Sequence, residues 1–173
     1  MTVEKKDIDW GSLGFGYMKT DYSYEAHWKD GEWDEGGLTT DHTLHVSECG
    51  GIFHYCQEVF EGLKAYRGPD GGVQLFRPME NVRRINSSCE RMCIPPLPEE
   101  DALAAIEQLV RLEADWVPSE EGTSLYIRPF IIATEPFLGV DVSETFLFMI
   151  ILSPSGAYYE SGLEPVGIWI EDE

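Results

Sequence analysis

The chain is poor in positive charge. Its 173 residues hold 12 Lys+Arg against 32 Asp+Glu, a formal charge of −20. Nucleic acid and anionic membrane surfaces repel such a chain, which excludes both as general partners, though not a small anion held by a few local arginines. Long apolar runs are lacking too. No stretch approaches the ~20 residues that span a bilayer. The charged start, MTVEKKDIDW, has no apolar signal-peptide core, so the expected compartment is the cytoplasm. Cysteine is sparse, at four, and in that compartment the thiols are expected free. Cys89 and Cys93 stand at helical i, i+4 spacing but lack the fuller ligand set of a metal site, so two core residues are expected and no metal. His42 and His45 fall on opposite faces of an extended run and make a poor ligand pair. No GxGxxG, P-loop, GxSxG or HExxH motif occurs. Nor is there an internal repeat, coiled coil or low-complexity tract.

What is present is a foldable chain, 43% hydrophobic and 12% aromatic, too apolar for disorder. Residues 1–14 read as a lead-in. Tyr22 to Trp28 reads as a strand closed by a hairpin turn at Asp30-Gly31. Leu38 to His45 reads as extended, and Gly50-Gly51 as a chain break. From Phe53 a short helix is expected to end near Gly62, followed by a strand through Tyr66. RGPDGG (67–72) is a hairpin turn, because Pro presets φ and Gly supplies φ > 0. Val73 to Phe76 is the return strand. Pro78 opens a helix to about Met92, and IPPLP (94–98) stops it. Glu99 to Trp116 follows a 3.6-residue period through Leu103, Ile106, Leu109 and Val110, with an acidic first turn. Ser124 to Thr134 and Thr145 to Ser153 read as buried strands. SPSGAYY (153–159) reads as a linker, and Val166 to Ile170 as the start of another strand. This order is an α+β plan, an antiparallel sheet flanked by two helices.

Arginine is scarce, so its placement is informative. Arg77, Arg83 and Arg84 fall within one helix start. They suit either a phosphate, through bidentate bonds and helix-end amides, or solvated surface pairs with Glu80 and Glu90. Arg128 sits in SLYIRPFII among apolar neighbours, where an unpaired charge is costly. Its partner is either an internal acid or a substrate carboxylate. Tyr126 shares its strand face.

The runs FHYCQEVFEGLKAYRGPDGGVQLFRPMENVRRI (53–85), EGTSLYIRPFIIATEPFLGV (121–140), LSPSGAYY (152–159) and FGYMKTDYSYEAHW (15–28) resemble the branched-chain amino acid aminotransferases. These are fold-type IV (class IV) enzymes dependent on pyridoxal 5'-phosphate. The resemblance implies the small N-terminal domain of that fold over 1–152, an interdomain linker over 153–160, and the first strand of a larger domain over 161–173. It implies that Arg84 clamps the cofactor phosphate, leaving Arg77 and Arg83 as surface charge. It implies that Phe15, Phe60 and Tyr126 wall the substrate side-chain pocket, and that Tyr158 borders it. Tyr55, Leu138 and Val140 resemble residues that reach the pocket from a neighbouring subunit, so a homodimer is implied. Arg128 resembles the arginine that receives the side-chain carboxylate of glutamate. The implied substrates are leucine, isoleucine and valine, with 2-oxoglutarate as acceptor.

The family's Schiff-base lysine belongs to a K-x-G-G-N-Y stretch that the resemblance places beyond residue 173. None of Lys5, Lys6, Lys19, Lys29 and Lys64 lies in that context. No catalytic residue is therefore assigned within the chain, and the 173 residues alone are expected to be inactive. Two alternatives stand beside this reading. One is a D-amino acid aminotransferase or aminodeoxychorismate lyase of the same fold. The other is a non-catalytic dimerisation or binding module.

Overall fold

The computed structural model describes residues 8–158 and 164–171. Among them, eight strands and three α-helices follow in chain order: β1 (Ser23–Lys29), β2 (Glu32–Trp33), β3 (Gly37–Thr39), α1 (Gly51–Tyr55), β4 (Glu58–Phe60), β5 (Leu63–Arg67), β6 (Val73–Leu75), α2 (Pro78–Arg91), α3 (Glu99–Leu112), β7 (Ser124–Ala133) and β8 (Phe146–Ser155). The strands form one antiparallel sheet, ordered β2-β1-β8-β7-β5-β6, with β3 also pairing β1 and β4 also pairing β7. This is the expected α+β plan. No helix among the described residues is long and apolar enough to cross a membrane.

The centre is a ten-residue ladder between β7 and β8, from Ser124 opposite Ser155 to Ala133 opposite Phe146. β-branched and aromatic side chains fill both strands. They read as nearly continuous apolar runs, buried along most of their length. Pro129 has no N–H to donate to a ladder. It falls where β4 ends and β5 has yet to begin, and its carbonyl accepts from the Glu61 N–H at 2.9 Å.

Helices α2 and α3 cover one sheet face. Val82, Ile85 and Cys89 of α2 and Ala105, Ile106 and Leu109 of α3 are buried against Leu125, Ile127, Ile131, Phe148 and Ile150. Arg67 ties the far end of α3 to the sheet, donating from Nη2 to the carbonyls of Ala114 (2.5 Å) and Val117 (3.3 Å). The first of those carbonyls opens, and the second directly follows, the short turn Ala114–Trp116, into which the C-terminal part of the expected 99–116 helix tightens. The opposite face carries a smaller cluster, Ile132, Leu147 and Met149, with Val46, Ile52 and Phe130 against it. The rest of that face is open.

Several expected element bounds differ from the observed ones. The helix expected from Phe53 to Gly62 is a single short one. It starts at Gly51, whose N–H donates to the Glu135 carbonyl (3.1 Å), so Gly50-Gly51 opens a helix rather than breaking the chain. Cys56 ends it in the left-handed region (φ 51°), and the chain turns into β4, whose edge β7 satisfies. The extended run expected over Leu38 to His45 is a strand only as far as Thr39, where pairing to β1 stops. The linker expected from residue 153 starts later, because the ladder with β7 holds Ser153, Pro154 and Ser155. Residues 164–171 form no strand and pair with no described neighbour. The remainder of the expected linker and last strand, 159–163 and 172–173, lies outside the described residues.

Candidate functional site

The open sheet face holds a cleft of about 240 Å³. Strand alternation builds its floor. Tyr126 and Arg128 on β7 stand beside Ser153 and Ile151 on β8, in direct register, so all four project to the face away from α2 and α3. The lead-in forms one wall. Met18 donates its N–H to Ser153 Oγ (2.9 Å), and Gly156 donates to the Gly14 carbonyl (2.9 Å), which lays Phe15 and Tyr17 along the cleft. Partial desolvation raises the Tyr17 hydroxyl above its ordinary pKa.

Phe15 meets Tyr126 edge-to-face at 5.1 Å and Tyr158 at 4.9 Å. Arg128 is the cation of the cleft. Its Nε and Nη2 donate to Tyr126 Oη at 3.0 and 2.7 Å. Its guanidinium lies 4.4 Å from the Phe60 ring centroid and 5.2 Å from that of Tyr126. Among the described residues no carboxylate lies within ion-pairing distance of it. Of the two partners open to Arg128 from the sequence, the internal acid is therefore absent from the described residues. Aromatic faces and a hydroxyl hold the charge instead.

Five of the expected residues thus come together: Phe15, Phe60, Tyr126, Arg128 and Tyr158. The others lie elsewhere. Tyr55 donates from Oη to the Leu138 carbonyl (2.6 Å) and stacks on Phe137 at 5.7 Å, while Leu138 and Val140 are exposed on the loop that follows β7. None of these three lines the cleft within this chain. Arg83 pairs with Glu80 and Glu99 and Arg77 with Glu80, all exposed, as surface charge does. Arg84 differs. It is held by Glu61, whose side chain is only 7% exposed, with Nε–Oε1 2.5 Å and Nη2–Oε2 2.7 Å. Burial raises the pKa of that carboxyl, but hydrogen bonds from Arg84, Asn81 and the Gly62 N–H outweigh it, so it stays below its ordinary value.

Sequence reasoning overlooked Glu61 and Gly62. A lone acid followed by a glycine in the mostly apolar run VFEGLKAY was the available signal. A Cβ on Gly62 would stand 2.6 Å from Tyr126 Oη, so the tyrosine rests directly on this glycine. Lys64 stands opposite Tyr126 across the β5–β7 ladder, but it is not among the residues lining the cleft.

No family model matches the chain. It is 54% identical over 171 residues to branched-chain-amino-acid transaminase 1 of Bacillus subtilis (strain 168), a match covering 98% of this chain and 48% of that protein. The chain spans about half the length of the curated relatives it matches. In fold it superposes on the branched-chain amino acid aminotransferase of Escherichia coli with a TM-score of 0.64 at 24% identity, covering 81% of this chain and 41% of that one. A second match is the branched-chain aminotransferase of the thermophilic archaeon Thermoproteus uzoniensis, solved with norvaline. Its TM-score is 0.60 at 25% identity, covering 78% of this chain and 42% of the other.

Proposed function

This chain is related to the branched-chain amino acid aminotransferases over about half of their length, and from that premise we propose that it forms the substrate-recognition half of such an enzyme. The reaction read here moves the amino group of leucine, isoleucine or valine to 2-oxoglutarate, and back, with pyridoxal 5'-phosphate. Cytoplasmic residence and a homodimer, with Tyr55, Leu138 and Val140 meeting the second subunit, are part of the same reading. So are Phe15 and Tyr158 at the pocket wall.

The observation that carries it is the environment of Arg128. One pocket must take both a leucine side chain and the carboxylate end of glutamate. Phe15, Phe60 and Tyr126 offer apolar contact to the first. Arg128, held by rings and a hydroxyl without an acid beside it among the described residues, offers a charge-assisted bond to the second. The Tyr126 hydroxyl accepts from Arg128, so it fixes the guanidinium while leaving Nη1 toward an incoming anion.

The cofactor has a partial fit within the chain. Arg84 spends its Nε and Nη2 on Glu61, and Nη1 has no hydrogen-bond partner among the described residues while the side chain is 64% exposed. It suits one edge of a phosphate. No described lysine lines the cleft. When bound, the cofactor supplies the electron sink for proton removal at the substrate α carbon. The residues of this chain bind and orient around it.

The test is amino transfer by the protein that carries this chain. Transfer from leucine, isoleucine and valine to 2-oxoglutarate is expected. Arg128→Leu should raise KM for glutamate about 10- to 100-fold, the range of one lost charge-assisted hydrogen bond, with the KM for leucine changed far less. Transfer from D-alanine with none from leucine would overturn the reading in favour of a D-amino acid aminotransferase. Absence of any transfer would favour a binding module.

A further inference from the structure

We propose that Glu61, in the turn Phe60-Glu61-Gly62, is a positioning residue that aims Arg84. The inference rests on the reading that Arg84 meets the cofactor phosphate and Arg128 the substrate carboxylate. It extends that reading to a residue which neither the sequence motifs nor the cleft lining had singled out.

The turn straddles the sheet. Successive residues of an extended chain point to opposite faces, and here they do so at the junction of β4 and β5. Phe60 lies on the cleft side under the Arg128 guanidinium at 4.4 Å. Gly62, two residues on, backs the Tyr126 hydroxyl that holds the same guanidinium. Glu61, between them, points to the α2 side and takes Arg84 in two parallel bonds. Three consecutive residues therefore contact both cations, or the group holding them.

Glu61 is fully engaged. Its Oε2 also accepts from Asn81 Nδ2 at 3.0 Å and from the Gly62 N–H at 3.2 Å, and its own N–H is fixed by the Pro129 carbonyl. A carboxylate with this many donors is rigid. The pairing is also lopsided: the acid is 7% exposed and the arginine 64%. The neighbouring Arg83 pairs expose both partners. A buried, immobile acid under an exposed guanidinium fixes which edge of that guanidinium faces outward. Arg84 is left with Nη1 as the edge open to an anion, in one orientation.

The experiment is equilibrium titration of the protein carrying this chain with pyridoxal 5'-phosphate and, separately, with unphosphorylated pyridoxal. The ³¹P shift of the bound phosphate is read alongside. Arg84→Met should bring the affinity for the phosphorylated compound close to that for pyridoxal. Glu61→Gln should weaken binding of the phosphorylated compound by about 2- to 160-fold, the span of coupling within one hydrogen-bond network. It should move the ³¹P shift and leave the affinity for pyridoxal unchanged. Asn81→Ala, which removes one bond to Glu61 and a longer one to the Gly62 carbonyl, should give a smaller effect in the same direction, and it serves if Glu61→Gln does not fold. Should Arg84→Met weaken binding while folded Glu61→Gln and Asn81→Ala bind as the parent does, Glu61 is structural only and the proposal is overturned. Should Arg84→Met itself change nothing, the phosphate reading of Arg84 falls, and the proposal with it.

Discussion

Replacing Gly62 with alanine isolates the contact between the β4–β5 turn and the cleft. Gly62 does not occupy the left-handed region, so alanine takes its backbone conformation without strain and only the added methyl matters. That methyl would sit 2.6 Å from Tyr126 Oη and 3.2 Å from two ring carbons, which places it roughly 0.8 Å inside ordinary contact with the oxygen. The tyrosine has two responses. It swings away and loses its bonds from Arg128, at about 1.5–3 kcal/mol for a charged hydrogen bond. Or it stays and strains the turn, at about 1–3 kcal/mol for overpacking. Either route costs about 1–3 kcal/mol, discounted toward the lower end because the cleft is open to solvent. For a chain of this size that lowers Tm by about 2–12 °C. On the proposed role of Arg128, affinity for 2-oxoglutarate should fall about tenfold, equivalent to ~1.4 kcal/mol, because Arg128 loses its fixed orientation. Calorimetric unfolding reads the first effect and isothermal titration the second. An alanine variant with Tm within about 1 °C of the parent and unchanged affinity for 2-oxoglutarate would refute the argument that Gly62 props Tyr126 and, through it, Arg128.

Three further outcomes are expected. The buried thiol of Cys89 has its pKa pushed up to about 12 by desolvation, so at mildly alkaline pH a disulfide reagent should label the exposed Cys56 and Cys93 but reach Cys89 only on unfolding; rapid native labelling at Cys89, read by mass spectrometry, would contradict its burial. Glu61 has a folded pKa below its unfolded one: burial raises it, but the bonds from Arg84, Asn81 and Gly62 outweigh that. Its stabilisation is therefore complete above the ordinary carboxyl pKa near 4.5 and is lost as pH falls through the lower folded value. Glu61→Gln should flatten that acid limb of stability against pH, and an unchanged limb would count against it. Arg67→Met removes the bonds to Ala114, Val117 and Gly71 and should cost about 1–3 kcal/mol, seen as a lower urea midpoint; a midpoint equal to the parent's would show that the end of α3 holds without this tie.

The parts of the fold governed by periodicity were readable. The stripe Ile106, Leu109 and Val110 on α3 and the apolar runs of β7 and β8 each carry one dominant signal. The segment from Phe53 to Phe60 carries conflicting ones. Its aromatics suit a helix face, yet the helix stops at Cys56 in a left-handed conformation that non-glycine residues rarely adopt, and only the open edge of β7 converts the next residues to strand. That edge is a tertiary fact, invisible locally. The site divides the same way. Tyr126 and Arg128 were legible as a pair on one strand face. Glu61 was not, because its worth depends on α2 folding back to place Asn81 and Arg84 beside it, 20 and 23 positions along the chain.

The alternation along β7 has a consequence for how such a protein changes over time. Leu125, Ile127 and Ile131 are locked into the helix-covered core, while Tyr126 and Arg128, interleaved with them, line the cleft. Selection for new substrates and selection for foldability therefore act on alternate letters of one short word. A library that randomises Tyr126, Arg128 and Ile151 while holding Leu125, Ile127, Ile150 and Leu152 would vary the cleft and leave the helix-covered core intact.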